Sequence, residues 1–485
     1  MGSPTPAAPN PFPIHPSSFK MNVWQSLTLT TTRLPTWIRG SLLHSWVGAL
    51  RAWRKGSVLM QEWAEPIGAL IAVIVFLLAP FVSTALVGVL LIACAGYWLL
   101  LTLSDESDTG LTPIHLLVLL YWCIATAATA LSPVRMAAVS GWSKLTLYML
   151  LFALLARVLR SPRLRSFLVT GYLLTALAVS VEGMRQWFFG ATALATWVDV
   201  DSSLAGTTRV YSYLGNPNLL GGYLIPAVML SASAIFAWSR WLPKALAVVM
   251  TLTNTACLIL TFSRGAWIGF VVGGFVLVLL VVHWLSIYLP RFWRRWAMPL
   301  VLGASAAFVV TAVLAVAPLR DRVLSMFAGR EDSSNNFRLN VWAAVQDMIR
   351  ARPVLGIGPG NTAFNAVYPR FQRTGYTALS AYSVFLEVLV ETGVIGFTCF
   401  LWLLLVTFNQ GWTQIQRLRQ AGDRNGFWLI GAIASMVGML VHGLVDTVWY
   451  RPPISTLWWL MIALVASYYN FQPSTVNDQV SAEVE

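Results

Sequence analysis

Charge is scarce in this chain: Asp, Glu, Lys and Arg make up 11% of its 485 residues, against 57% hydrophobic residues. So little charge excludes an ordinary soluble domain and leaves a polytopic membrane protein. Acidic residues are the scarcer sign, 19 against 32 Lys and Arg, and 28 of those 32 are Arg. Such an excess suits membrane headgroups or anions that take forked hydrogen bonds. Because no basic run with interleaved aromatics stands outside the apolar segments, nucleic acid is not an expected partner. Cysteine is limited to Cys94, Cys123, Cys257 and Cys399, far apart and all within apolar runs. That spacing excludes a disulfide framework or a metal site and makes them small core residues. No cofactor is expected either. "GIGPGN" at 356–361 packs three glycines into five residues, but a dinucleotide loop needs a preceding strand and a different third spacing, so a tight turn back to the membrane is expected.

What is present is apolar length. Runs near 66–81, 84–103, 114–131, 138–157, 164–184, 218–238, 243–263, 265–286, 297–318, 384–407, 426–447 and 453–470 predict an all-α polytopic protein of about 12 transmembrane helices. A long, partly helical extracytoplasmic loop at 319–383 separates helices 9 and 10. The remaining organisation is read as a disordered N-terminal tail (1–32), an interfacial amphipathic segment (33–65) rich in Trp and Arg, helices 1–9 over 66–318, helices 10–12 over 384–470 and a cytoplasmic tail (471–485). A cytoplasmic N-terminus puts Arg157, Arg160, Arg163 and Arg165, then Arg240 and Lys244, then Arg291, Arg294 and Arg295, then Arg417, Arg419 and Arg424 inside, as the positive-inside rule demands. Only the acidic "SDESD" at 104–108 opposes the trend. Both termini are then cytoplasmic, in the inner (plasma) membrane or a thylakoid membrane.

This orientation gathers unusual charge outside. From Ala245 to Pro290 the sole permanent charge is Arg264, at the tip of a short turn between two spans, where helices meet and anions collect. The long loop carries eight Arg against four acids. Within it Val341, Trp342, Val345, Met348 and Ile349 recur at helical spacing, predicting a helix over about 337–351 capped by Ser334, Asn335 or Asn336, with Arg338 in its first turn and in need of an anionic partner. Glu387 and Glu391 lie one turn apart at the start of the tenth span. They are read first as partners for the loop arginines, with a general acid/base pair or an ion site as alternatives. His442 and Asp446, spaced i, i+4 with Arg451 beyond, are read as a proton-handling or packing pair.

"RVYSYLGNPNLLGGYL" (209–224), "LTFSRGAWIGF" (260–270), "GREDSSNNFRLNVW" (329–342), "GIGPGNTAFNAVYP" (356–369) and "LSAYSVFLEVLVETG" (379–393) resemble the O-antigen ligase and polymerase superfamily, and within it a cyanobacterial branch linked to bicarbonate accumulation. The resemblance covers nearly the whole chain from Met21. It implies a bundle of about a dozen helices that binds a polyprenyl-pyrophosphate-linked glycan from the outer side, with Arg209, Arg264 and Arg338 holding the pyrophosphate through charge-assisted bonds. Ligases place a catalytic His-Asn pair where this chain has Tyr382 and Ser383. Tyrosine is a poor general base near neutral pH, so the resemblance leaves Tyr382, Glu387 and Glu391 as catalytic candidates. The resemblance implies a role in bicarbonate accumulation, with bicarbonate as the anion at the arginines; the alternative is transfer of the lipid-linked glycan.

Overall fold

The computed structural model describes residues 23–30, 47–105, 110–191, 209–324, 326–327 and 329–469. The expected tails and the stretch 31–46 of the interfacial segment therefore lie wholly or largely outside the described residues. Every regular element from Arg51 onward is helical. Two five-residue helices, α1 (Arg51–Lys55) and α2 (Val58–Glu62), lead into α3 (Ala64–Leu78), α4 (Thr84–Leu103), α5 (Pro113–Ala130), α6 (Arg135–Val158), α7 (Pro162–Phe189), α8 (Pro217–Ala237), α9 (Trp241–Leu260), α10 (Arg264–Leu285) and α11 (Arg291–Ala315). The loop helices α12 (Ala317–Leu324), α13 (Ser333–Ala351) and α14 (Asn361–Val367) follow, then α15 (Val384–Ala421), α16 (Gly426–His442) and α17 (Pro452–Ser467). The chain is an all-α, multi-pass membrane protein, with an apolar helix at each of the twelve expected positions.

Nine of those helices are long and apolar enough to cross a membrane alone; α3, α16 and α17 are shorter. At 1.5 Å per residue the 16 residues of α17 reach about 24 Å, short of a hydrocarbon core of about 30 Å. Both α16 and α17 are buried along nearly their whole length, so protein rather than lipid satisfies their surroundings. Alternating helix directions put the long loop, Arg209 and Arg264 at one end of the bundle, called here the loop end. At the opposite end Arg157 bridges Glu65 (2.7 Å) and Asp105 (2.8 Å), and Arg54 lies 3.8 Å from Asp105. The acid that broke the charge trend is thus an ion-pair partner of the basic residues around it.

Two devices position the loop end. On α10, Gly265, Gly269 and Gly273 form a stripe that receives His442, Gly438 and Ala434 of α16. A Cβ on Gly269 would stand 2.5 Å from the Gly438 carbonyl oxygen, and one on Gly265 2.8 Å from the His442 ring. Small residues at this spacing let two membrane helices meet backbone to backbone. The second device is a break in α15, where Gly393 leaves the helix at φ 66°. The break frees the carbonyls of Val390 and Glu391 and the N–H groups of Val394 and Ile395, and the loop replaces both lost bonds. Ile357 and Gly358 donate to Val390 and Glu391 (2.9 Å each), while Val394 and Ile395 donate to Pro353 (2.8 Å) and Val354 (3.5 Å).

The "GIGPGN" turn is therefore a buried insertion, which agrees with a return to the membrane and gives it a purpose. Its Pro359 carbonyl rests on Gly141 of α6, where a Cβ would sit 1.9 Å from that oxygen. Gly141→Ala should push the turn out of its slot and cost about 1–3 kcal/mol as overpacking. A thermal-unfolding comparison checks this against Gly96→Ala, whose Cβ would meet nothing within 4 Å and which should leave the midpoint unchanged or raised.

Candidate functional site

The site begins where α8 and α10 start. Ser263 caps α10, its Oγ accepting from the Ala266 N–H (3.4 Å), and this sets Arg264 as the first helical residue, 8% exposed. The Arg264 guanidinium donates from Nη2 to Oδ1 of Asp332 (2.7 Å). Asp332 in turn caps α13 by accepting from the Asn335 N–H (2.9 Å). The expected caps Ser334, Asn335 and Asn336 are therefore inside the helix, which starts at Ser333 because an aspartate binds the free N–H groups and favours the positive helix end. Arg338 accordingly sits in the second turn, not the first. It donates from Nη1 to Ser334 Oγ (2.8 Å), and its buried Nε has no hydrogen-bond partner.

Arg209 completes the group, donating from Nε to the Thr261 carbonyl (3.1 Å) and from Nη2 to Asn218 Oδ1 (3.4 Å). Burial, then the positive charges of Arg264 and Arg338, pull its guanidinium down to about 10, with Asp446 acting in the opposite sense. It stays charged at neutral pH, and three segments meet here: Arg209 is hydrogen-bonded to the Thr261 carbonyl, Arg264 to Asp332, and Asp332 caps the helix that carries Arg338.

His442 lies beneath this layer, fully buried, with neither ring nitrogen hydrogen-bonded. The expected i, i+4 pairing with Asp446 does not form, because α16 ends at His442 and the chain turns at Gly443. The ring instead packs between Gly222 of α8 and Gly265 of α10. Tyr382 is held at φ 49°, its ring edge-on to Phe337 of α13 at 5.4 Å. Burial, with Asp446 and Tyr450 next, pushes its hydroxyl up to about 12. Tyr382 is thus a hydrogen-bond donor at neutral pH.

Glu387 and Glu391 do not pair with the loop arginines. Glu387 Oε2 accepts from the Ala381 N–H (2.6 Å) and from Thr447 Oγ1 (3.5 Å), and Glu391 Oε1 accepts from the Gly360 N–H (2.7 Å). Backbone donors reach these carboxylates first because the inserted turn and the residues before α15 lie directly over them. The arginines find acids elsewhere, Arg264 on Asp332 and both Arg350 and Arg373 on Asp347. Both glutamates line a cavity of about 170 Å³ between α5, α6, α15 and α17, together with Tyr121, Lys144, Tyr148, Trp449, Trp458 and Trp459. Sequence reasoning missed this cavity. Its one visible signal was Lys144, a cation in the middle of an apolar run.

Residues 245–401 match the family model for O-antigen ligase. The ligase-type stretch runs from α9 to the middle of α15 and contains Arg264, Arg338, Tyr382, Glu387 and Glu391. Arg209, Lys144, His442 and Asp446 come from outside it, so the bundle around the ligase-type stretch completes the site. A search of curated proteins gives no match.

Asp332 holds both the α13 cap and the Arg264 guanidinium, which separates two substitutions. Asp332→Asn keeps a capping oxygen and loses the charge, whereas Asp332→Ala loses both, so the alanine variant should be less stable than the asparagine variant by about 1 kcal/mol. Denaturation midpoints of the two proteins in the same lipid check this; equal midpoints would show that the cap carries no weight.

Proposed function

We propose that this protein binds a polyprenyl-pyrophosphate-linked glycan at its loop end and transfers the glycan to an acceptor, with that end facing away from the cytoplasm. The meeting of the Arg209, Arg264 and Arg338 segments, through Thr261 and through the Asp332 cap, carries the reading. Co-buried like charges repel, and Asp332, 2.7 Å from Arg264, offsets only part of that charge. A ligand with several anionic oxygens relieves that repulsion and takes forked hydrogen bonds from each guanidinium. The unpartnered Arg338 Nε is a donor already in place for it. The similarity of residues 245–401 to O-antigen ligase suggests a lipid-linked glycan as the anion.

In this reading Tyr382 stands where ligases carry their catalytic histidine, and its raised hydroxyl suits donation to a phosphate oxygen rather than proton removal. Activation of the acceptor falls to the carboxylates of Glu387 and Glu391. A guanidinium delivering a charged hydrogen bond contributes about 1.5–3 kcal/mol, or roughly 10- to 100-fold in affinity.

Native mass spectrometry of the protein in nanodiscs with undecaprenyl pyrophosphate tests the cradle. Alanine at Arg209, Arg264 or Arg338 should each weaken retention by about that factor; undiminished binding in all three variants would sink the proposal. Labelled bicarbonate uptake in liposomes serves as the competing assay, and uptake lost in Arg264→Ala would move the ligand to bicarbonate. For the transfer step, Tyr382→Phe should retain turnover within about tenfold, the loss of one phosphate hydrogen bond, while Glu391→Gln should lose far more. The reverse order would make Tyr382 the proton acceptor.

A further inference from the structure

The cavity beside the arginine cradle has a chemistry of its own. Glu387 and Glu391 each commit one carboxylate oxygen to a backbone N–H, which leaves the second oxygen of each for the cavity they line. The lining is also aromatic: Trp449 and Trp458 lie with ring centroids 4.1 Å apart, and Trp459 joins them in it. Lys144, exposed on α6, marks another part of the rim.

These features narrow the occupant. A purely apolar ligand would offer nothing to the second oxygen of the buried Glu387 or the half-buried Glu391, at a cost in desolvation. An anion would meet two carboxylates, and a metal cation would find no third acidic ligand and a lysine nearby. A neutral ring with hydroxyls on its edge and C–H groups on its face suits all of them, since carboxylates accept from vicinal hydroxyls while an indole covers the C–H face. The volume, about 170 Å³, is close to the roughly 150 Å³ of a cavity that takes a benzene ring, so one six-membered ring fits.

We propose that this cavity is a pyranose-binding subsite, with Glu387 and Glu391 holding ring hydroxyls and an outward indole face of the Trp449–Trp458 pair covering the ring. The inference rests on the glycan reading above and names where one sugar unit of that substrate sits. Continuity supports it: Thr447, hydrogen-bonded to Glu387, directly follows Asp446, which acts on Arg209 and Tyr382.

Saturation-transfer difference NMR on the nanodisc-embedded protein, with methyl glycosides of glucose, galactose and N-acetylglucosamine as probes, tests the subsite. At least one glycoside should show transfer to its C–H face. That signal should drop at least tenfold in Glu391→Gln and in Trp458→Ala and persist in Arg264→Ala. Glutamine keeps an oxygen for the Gly360 N–H, so Glu391→Gln preserves the fold contact, and Trp458→Phe supplies a gentler change that should only weaken the signal. No transfer from any of the three glycosides, in protein that retains undecaprenyl pyrophosphate, overturns the subsite and leaves the cradle standing. Glycoside binding without pyrophosphate retention does the reverse. Transfer that survives both Glu391→Gln and Trp458→Ala places the sugar elsewhere and overturns the assignment.

Discussion

The loop end depends on one repair: the segment 353–358 takes over the two backbone hydrogen bonds that α15 gives up at Gly393. Inside a membrane protein an unpaired backbone group costs several kcal/mol, so a helix break persists only where other protein groups fill it. Filling it draws the loop down into the bundle, between α6 and α15. Ser132 of the α5–α6 turn holds the Ile357 carbonyl (2.5 Å), and Gly360 reaches the Glu391 side chain. A loop that would otherwise lie over the membrane end becomes the wall of a cavity, and α13, which precedes it, brings Arg338 over Arg209 and Arg264.

The electrostatics follow from that placement. Helices α8, α10, α15 and α17 all begin at the loop end, so the positive ends of four helix dipoles face the same layer as the three guanidiniums. Asp332 offsets part of this charge and at the same time starts α13, which ties the stability of the loop helix to the occupancy of the arginine site. The acids at the opposite end are spent on structural ion pairs with Arg54 and Arg157. At the loop end the buried positive charge lies outside such ion-pair clusters, apart from the Arg264–Asp332 pair. A substrate with an anionic head and a neutral polyol body matches that division.

Much of the fold was legible in the sequence, because a crossing demands about 20 apolar residues and the chain has few charges to blur the ends. The site was legible as residue types rather than as contacts. Arg264 stood out as the single charge in a 46-residue run, yet nothing local said that Asp332 would meet it, 68 positions away. Helical spacing put His442 and Asp446 on one face, but spacing does not register where a helix stops, and Gly443 ended it. Glu387 and Glu391 looked like partners for arginines because charge pairing is the simplest reading of acids near cations. Backbone donors from an inserted turn are invisible until the turn is placed. The glycine stripe at 265, 269 and 273 was present in the sequence and fixes His442 by contact, which is a matter of three dimensions.

Backbone strain points to the same region. Apart from Leu29, the described non-glycine residues with positive φ are Ser212, Phe262 and Tyr382. Ser212 follows Arg209 by three positions, Phe262 precedes Arg264 by two, and Tyr382 stands between the cradle and the cavity. Each such conformation costs about 1–3 kcal/mol and persists only where its surroundings over-determine it. Here they do: Ser212 donates to the Val179 carbonyl (2.6 Å) and takes the Gln186 side chain on its N–H (2.8 Å), while the Phe262 ring lies between Trp187 and Trp267. An arginine on a long flexible stem makes a poor anion ligand unless its backbone is fixed, since ordering it offsets much of the gain. Strain held by burial beside two of the three arginines fixes their backbone, and this is the physical sense in which the proposed cradle would be preorganised.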